Sequence, residues 1–243
     1  MAKPDPMPAT DHAQVKAFYD HDYYRTQAHL TGTSWHLRRI ARRLGVRPGE
    51  QVLDVACGDG AWLGLLQAQG AAVHGVDISS VAVERCRQRL PSADIRESVA
   101  EALPYADDAF DLVTCMGSLE HFLDKPRALA EMRRVARPGA RLLLLVPNAG
   151  FLTRRLGLYR GTEQARIRED VLPLAEWERL LGEAGLSIQA RWRDLHPLGR
   201  EWIMLGPPRR WPLRALQAIA LALWPLRWQY QVYFLCRQAP ADS

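Results

Sequence analysis

"VLDVACGDGAW", residues 52–62, decides how this chain is read. An apolar run ends in an acid at Asp54, small residues with Gly58 and Gly60 follow, and an apolar-rich helical pattern starts at once. The β-branched run predicts a strand buried on both faces, which belongs in a parallel sheet. The two glycines let the backbone turn tightly and approach a ligand with no Cβ in the way. The helix that follows points its N-terminus at the same place. About twenty residues on, "AVHGVDIS" reads as a second strand ending in Asp77, where a carboxylate can accept both hydroxyls of a ribose.

Outward from that stretch, strands alternate with helices from 51 to 147. "SVAVERCRQRL" is a helix stopped at Pro91, "DIRESVA" a third strand, Phe110–Met116 a fourth, "PRALAEMRRVARPGA" a helix with an Arg-Pro-Gly stop, and "RLLLLVPN" a fifth strand. Such alternation predicts a doubly wound, mostly parallel sheet with helices on both faces. After 148 the rhythm changes. "LPLAEWERLLGEAGL" is a helix closed by Gly185, and "SIQARWRDL" and "YQVYFLCRQ" read as two more strands. That makes seven, with an antiparallel last strand. A long, apolar, arginine-flanked insertion, 199–228, lies between those two. Before the sheet, residues 1–10 read as a Pro-rich disordered tail. Residues 11–45 read as one or two helices carrying the aromatic cluster Phe18, Tyr19, Tyr23 and Tyr24.

Composition narrows the class. The 243 residues are 48% apolar, enough for a sizeable core without staples. Cys57, Cys86, Cys115 and Cys236 form no CxxC pair, which argues against a disulfide framework or a metal site and fits a reducing cytoplasm. "MAKPDPMPATD" has no apolar core of a signal peptide, and no run is long enough to span a bilayer. The net charge of +5 is almost all arginine. Arg38, Arg39, Arg42 and Arg43 alternate with Leu37, Ile40, Ala41 and Leu44 at helical spacing, the mark of a solvated helix face.

Two ligand classes share the turn geometry. A dinucleotide needs GxGxxG, but here the third glycine position is Leu63. Asp54 beside the turn repels a pyrophosphate and suits an ammonium. S-adenosylmethionine, with an ammonium, a sulfonium and a ribose, fits better than NAD. "VLDVACGDG" with Asp77, "VAEALPYADDAFDLVTC" and "LAEMRRVARPGARLLLLVPN" resemble the class I S-adenosylmethionine-dependent methyltransferases, in particular the small-molecule branch labelled methyltransferase type 11, over residues 45–148. The resemblance implies that Asp54, Ala56, Gly58 and Gly60 frame the methionine end of the cofactor. It implies that Asp77 binds the ribose, that Ile78 packs on the adenine, that Ala100 and Glu101 read the adenine edge, and that Met116 touches the methionine moiety. The family often has Gly where Ala56 stands, a mild change in a turn that needs only a small residue. It often has Asp where Val99 stands, so the adenine contact of that Asp is missing.

The chain accordingly divides into a tail and helical lid, 1–45, and a methyltransferase domain, 46–243. The domain has a cofactor-binding half, 46–148, and an acceptor-side half, 149–243. Tyr24 and its aromatic neighbours can close over a sulfonium by cation–π contact. "GSLEHF" (117–122) follows strand four, where the family's acceptor site opens, and His121 is the candidate general base. His29 and His36 can enter from the lid. Methyltransferases of nucleobase amines carry an Asn/Asp-Pro-Pro-aromatic turn after strand four; here it is Met116-Gly117-Ser118-Leu119, so a small-molecule acceptor ranks above nucleic acid. "PPRRWPLRALQAIALALWPLRWQY" (207–230) reads either as a lid helix on the substrate pocket or as a peripheral membrane contact through 207–228. Both readings predict an apolar or amphiphilic acceptor, methylated on O or N, in a cytoplasmic protein; the second adds a peripheral contact with the membrane. A lipid-linked or glycan-pathway acceptor, or a binding protein without turnover, is the alternative.

Overall fold

The computed structural model describes residues 11–24, 34–155, 169–204 and 206–239. The tail 1–10 and His29 lie outside the described residues. Seven strands form one sheet in the order β3-β2-β1-β4-β5-β7-β6. They are β1 Gln51–Val55, β2 Ala72–Asp77, β3 Asp94–Glu97, β4 Phe110–Met116, β5 Ala136–Pro147, β6 Leu186–Arg193 and β7 Gln231–Gln238. The pairs among β1 to β5 are parallel, and β7 runs antiparallel between β5 and β6. The doubly wound expectation holds, including the antiparallel last strand. The chain steps from β1 to β2 and β3 in one direction and then returns to place β4 on the other side of β1, so the strand order reverses at β1, where ligands of such sheets bind.

The period of two along each central strand builds two cores. Leu53, Val55, Val113, Cys115, Leu142 and Leu144 face the helices Lys125–Val135 and Leu174–Glu183. Val52, Leu112, Leu143, Leu145 and Tyr233 face the helices Trp35–Leu44, Ala61–Gln67 and Ser80–Arg89. Each of the first two helix starts named next is fixed by a side-chain cap. Ser34 accepts the Leu37 N–H at 3.2 Å, Asp124 accepts the Arg127 N–H at 3.0 Å, and Gly45 ends the helix that Ser34 begins at a φ of 58°. Arg38, Arg39, Arg42 and Arg43 are exposed while Ile40, Ala41 and Leu44 are buried, as their spacing predicts. β5 starts earlier than its apolar run: Ala136 already pairs with Phe110, and the register shifts before Arg141 meets Leu112.

The turn after β1 departs from the sequence expectation at two positions. Ala56 is left-handed, with a φ of 62°, so a small residue is not all the position asks for; a side chain there is strained by about 1 kcal/mol. Gly60 does not line the ligand cavity. A Cβ on it would lie 2.5 Å from Cys86 Sγ and 3.1 Å from Leu90 Cδ1, so its missing side chain lets helix Ser80–Arg89 pack against the turn. Gly60→Ala should therefore destabilise the fold by about 1–3 kcal/mol, by overpacking and by its φ of 78°. Combined with Cys86→Ala, the loss should be less than the sum of the two single changes. Urea denaturation measures both, and strict additivity would show that the Cys86 contact is not what Gly60 avoids.

Candidate functional site

Two buried carboxylates frame the β1 turn. Asp54 is buried on β1, in register between Gly75 of β2 and Thr114 of β4. Its Oδ1 accepts the Thr114 hydroxyl at 2.6 Å, and Thr114 in turn accepts the Trp62 indole N–H at 3.1 Å. Asp77 ends β2. Its Oδ2 accepts the Gly58 N–H at 2.9 Å and its Oδ1 the Ser79 N–H at 2.9 Å, which fixes the turn against the start of the next helix. Burial pushes the Asp54 carboxyl up to about 7, with the Thr114 bond opposing and the charge of Asp77 adding. Burial likewise pushes Asp77 up to about 6, against the pull of its two backbone bonds. Each carboxylate oxygen still has lone-pair capacity for another donor. A ligand with a cationic group at Asp54 and a diol at Asp77 would relieve both penalties, and these are the ammonium and ribose of S-adenosylmethionine; this donor set fits that cofactor.

A cavity of about 910 Å³ runs over this frame. Asp54, Ala56, Gly58, Asp77, Ile78, Ala100, Glu101 and Met116, eight of the residues picked out in the sequence, line it, as does Val99. Glu101 does more than line it. Its Oε1 accepts the N–H groups of Leu123 and Asp124 at 3.0 and 3.2 Å, and its Oε2 lies 3.3 Å from His12 Nε2. The residues 12–24 form a roof. Helix His12–Phe18 continues into a wider π-helical turn, Tyr19–Tyr23. Val15, Tyr19, Tyr23 and Tyr24 line the cavity, with ring centroids 5.4 Å apart for Tyr19 and Tyr23 and 5.1 Å for Tyr23 and Tyr24. The Tyr24 hydroxyl lies 3.2 Å from where a Cβ on Gly58 would stand. The roof is tied to the helix after β2. Asp20 accepts the Ser79 hydroxyl at 2.5 Å, Lys16 donates to the Ile78 carbonyl at 3.3 Å, and Arg85 donates to the Tyr24 carbonyl at 2.9 Å.

The far end of the cavity is polar and was largely invisible in the sequence. His121 lines it, buried, with Nε2 4.0 Å from Glu120 Oε1. Burial pushes Glu120 up to about 8, so near neutral pH it is mostly protonated and lends His121 little negative charge. His36, in the first turn of its helix, has the stronger partner. Its Nε2 lies 3.0 Å from Asp194 Oδ1 and 3.2 Å from the Tyr233 hydroxyl, and its Nδ1 is enclosed with no hydrogen-bond partner. The sheet register explains the placement. Met116 pairs with Leu145, and Leu145 with Tyr233, so the three share one row and one face across β4, β5 and β7. At about 4.8 Å per strand, Tyr233 stands about 10 Å across the sheet from Met116. The sequence marks His36 as a residue able to enter from the lid; Asp194 and Tyr233 carry no local signal, because only strand pairing brings them to it.

The comparisons with known proteins bear on the family and the fold. A family described as a methyltransferase domain matches residues 53–144. The chain is 36% identical over 166 residues to 27-O-demethylrifamycin SV methyltransferase of Amycolatopsis mediterranei, a match over 61% of this chain but only 58% of that relative's length. It is 33% identical over 201 residues to demethylmenaquinone methyltransferase of Clavibacter sepedonicus, over 78% of this chain and 80% of the relative. In fold it resembles the Burkholderia thailandensis 1,6-didemethyltoxoflavin-N1-methyltransferase, solved with its substrate and S-adenosylhomocysteine bound. The TM-score is 0.65 at 18% identity, over 98% of this chain and 93% of that one.

The raised carboxyls set a pH dependence. In the ligand-free protein Asp54 and Asp77 hold protons more tightly than they would unfolded, so stability should fall as pH rises from about 4 to about 7. Affinity for S-adenosylhomocysteine, which keeps the ammonium and the ribose, should move the other way. It should rise as the two groups ionise and level off above about pH 7. Asp54→Asn should weaken binding and remove the upper part of that rise. Calorimetric titration from pH 5 to pH 8 (about one unit either side of the two groups) checks both, and an affinity independent of pH would sink the electrostatic account.

Proposed function

The chain belongs to the class I S-adenosylmethionine-dependent methyltransferases, and from that premise we propose that it transfers a methyl group to a hydroxyl oxygen of a small, amphiphilic acceptor. The observation that carries this reading is the single cavity joining the Asp54–Asp77 frame to the His36–Asp194–Tyr233 cluster. When bound, S-adenosylmethionine supplies an already activated methyl group. This chain's part is to hold it, to place the acceptor and to take a proton. Asp54 would receive the ammonium and Asp77 the ribose hydroxyls. Ile78, Val99, Ala100 and Glu101 would border the adenine, and Met116, Ala56 and Gly58 the methionine end. Tyr24 and the roof 11–24 would close over them as a lid. Gly60 supports the frame from outside the cavity.

His36 is the base this reading favours over His121. With Nε2–H donated to Asp194, the second ring nitrogen keeps its lone pair; it is enclosed in this structure, so the acceptor would give up its proton there on displacing the side chains that cover it, and the Asp194 carboxylate would stabilise the imidazolium formed as the O–H bond of the acceptor breaks and an N–H bond forms. The Tyr233 hydroxyl positions the ring. His121 sits beside a carboxyl that burial keeps largely neutral. The relatives named for rifamycin and menaquinone precursors support a small-molecule acceptor with a large apolar part. Apolar residues lining the cavity, among them Leu145, Leu37 and Phe122, match that chemistry.

Incubation of a metabolite extract with methyl-labelled cofactor, read by mass spectrometry, should yield a labelled ether; a label found only on a carboxylate, nitrogen or carbon would refute the hydroxyl assignment. On that acceptor, His36→Gln and Asp194→Asn should each lower kcat by about 10²-fold or more, with cofactor affinity unchanged. His121→Ala should cost less. The reverse ranking would return the role to His121. Amide hydrogen exchange in 11–24 should slow when S-adenosylhomocysteine is added, and unchanged exchange would leave the roof a static packing element.

A further inference from the structure

The helix Trp211–Leu223 is built inside out. Its exposed side carries Leu213, Leu216, Ile219 and Leu223, at 59, 66, 55 and 76% exposure. At 100° per residue these four fall within about 120° of arc. The opposite side holds the contacts with the body. Ala218 is buried, and Arg214 donates to the Trp202 carbonyl at 2.8 Å and stacks 4.1 Å over the Trp202 ring. Gln229, buried, donates to the Leu221 carbonyl at 2.6 Å. The more polar side is thus satisfied inward while the greasy side faces out. Among the described residues, every strongly exposed large aliphatic or Met side chain lies here: these four and Met204. A concentrated patch of this kind marks an interaction surface, since scattered exposed apolar residues are ordinary and a stripe of them is not.

The chemistry around the stripe selects the occupant. Residues 202–241 contain no Asp or Glu and carry Arg209, Arg210, Arg214, Arg227 and Arg237. Arg209 and Arg210 are exposed just before the helix, and Arg227 is exposed just after it. Trp211 and Trp224 stand half-buried at the two ends, where indoles sit at a membrane interface. The 13-residue helix is too short to span a bilayer, and no helix among the described residues is long and apolar enough to cross one. We propose that this face lies flat on an anionic lipid surface, with the leucine–isoleucine stripe entering the acyl boundary and the arginines on the phosphates. A protein partner of matching shape would need acidic groups around an apolar groove, whereas an anionic bilayer offers both without a specific fit. The helix packs on the segments His196–Leu198 and Arg200–Ile203, of which His196 and Glu201 line the cavity, so lipid docking sets the acceptor end of the cavity beside the membrane.

The test uses the full chain and needs no acceptor. Vesicles of phosphatidylcholine alone and of phosphatidylcholine with phosphatidylglycerol are sedimented at low and at high salt. The protein should pellet with the anionic vesicles at low salt, release at high salt, and stay in the supernatant with the neutral ones. Leu216→Glu with Ile219→Glu, and separately Arg209→Glu with Arg210→Glu, should each weaken vesicle binding by about tenfold or more while leaving affinity for S-adenosylhomocysteine unchanged. If the first pair does not fold, quenching of tryptophan fluorescence by brominated lipid in the unaltered protein reads the same contact, and it should fall on Trp211→Phe and Trp224→Phe. No pelleting at low salt, or pelleting that ignores the stripe, overturns the proposal. So does a sedimentation-velocity dimer that dissociates on Leu216→Glu without any vesicle binding, since the stripe would then belong to a second copy.

Discussion

The carboxylate of Asp77 is the point on which the rest of the structure depends. Its two oxygens accept the Gly58 and Ser79 N–H groups, at 2.9 Å each, from two different stretches of chain. One bond fixes the tip of the β1 turn, the other fixes the first turn of helix Ser80–Arg89. Everything near the cofactor frame is positioned relative to that clamp. Gly60 brings the same helix close enough for Cys86 and Leu90 to pack against the turn, and Asp20 reaches over to the Ser79 hydroxyl, so that the roof is anchored to the clamp as well. A charged acceptor bound by two backbone amides is stronger than a neutral one, yet it sits where burial opposes its charge.

That opposition gives the site its electrostatic character. Asp54 and Asp77 are both buried, both raised in pKa, and each adds to the other's difficulty or to that of a neighbour. A structural carboxylate would be expected to have an arginine or lysine at hand; Lys16, whose charge acts on Asp77, is turned to Asp20, Glu97 and the Ile78 carbonyl. The fold therefore holds negative charge ready at a cost in stability, the usual sign that a ligand completes the site. The strained Ala56 at the same turn is a second such cost.

The side of the cavity proposed for the acceptor obeys different physics. It is assembled by sheet register and by capping, with little local signature. Leu145 and Tyr233 reach the site because β7 runs antiparallel beside β5, and Asp194 because β6 ends beside them. His36 comes from a helix some 200 residues away in sequence from Tyr233 (197 apart). The insertion between β6 and β7 adds a helix whose greasy face remains outside. Its amphipathy is opposite to that of Trp35–Leu44, where the arginines are exposed and the aliphatic side chains buried. Two helices of one chain thus meet the same solvent with opposite faces. The chain gains nothing in folding from the second arrangement, and a surface that supplies an apolar environment explains it.

Much of this was legible in the residues. "VLDVACGDG" with Asp77, the alternation of strands and helices to 147, and the two later strands determined the doubly wound sheet and the cofactor frame, because those features rest on period, turn chemistry and short spacing along the chain. The apolar excess of 207–228 was equally plain. Tertiary structure alone decided what each residue does. Gly60 is a packing glycine because Cys86 lies 2.5 Å from its would-be Cβ, and Ala56 is strained because the turn is left-handed there. Glu101 holds the loop at Leu123 and Asp124 besides facing the cavity. The proposal that His36 takes the proton rests on strand pairing that brings Asp194 to it, a placement with no signal along the chain. Which side of helix Trp211–Leu223 faces out could not be read from a sequence apolar on most sides. The contacts of Arg214, Ala218 and Gln229 settle it, since satisfying a guanidinium, a buried small residue and a buried amide leaves only one way to turn the helix.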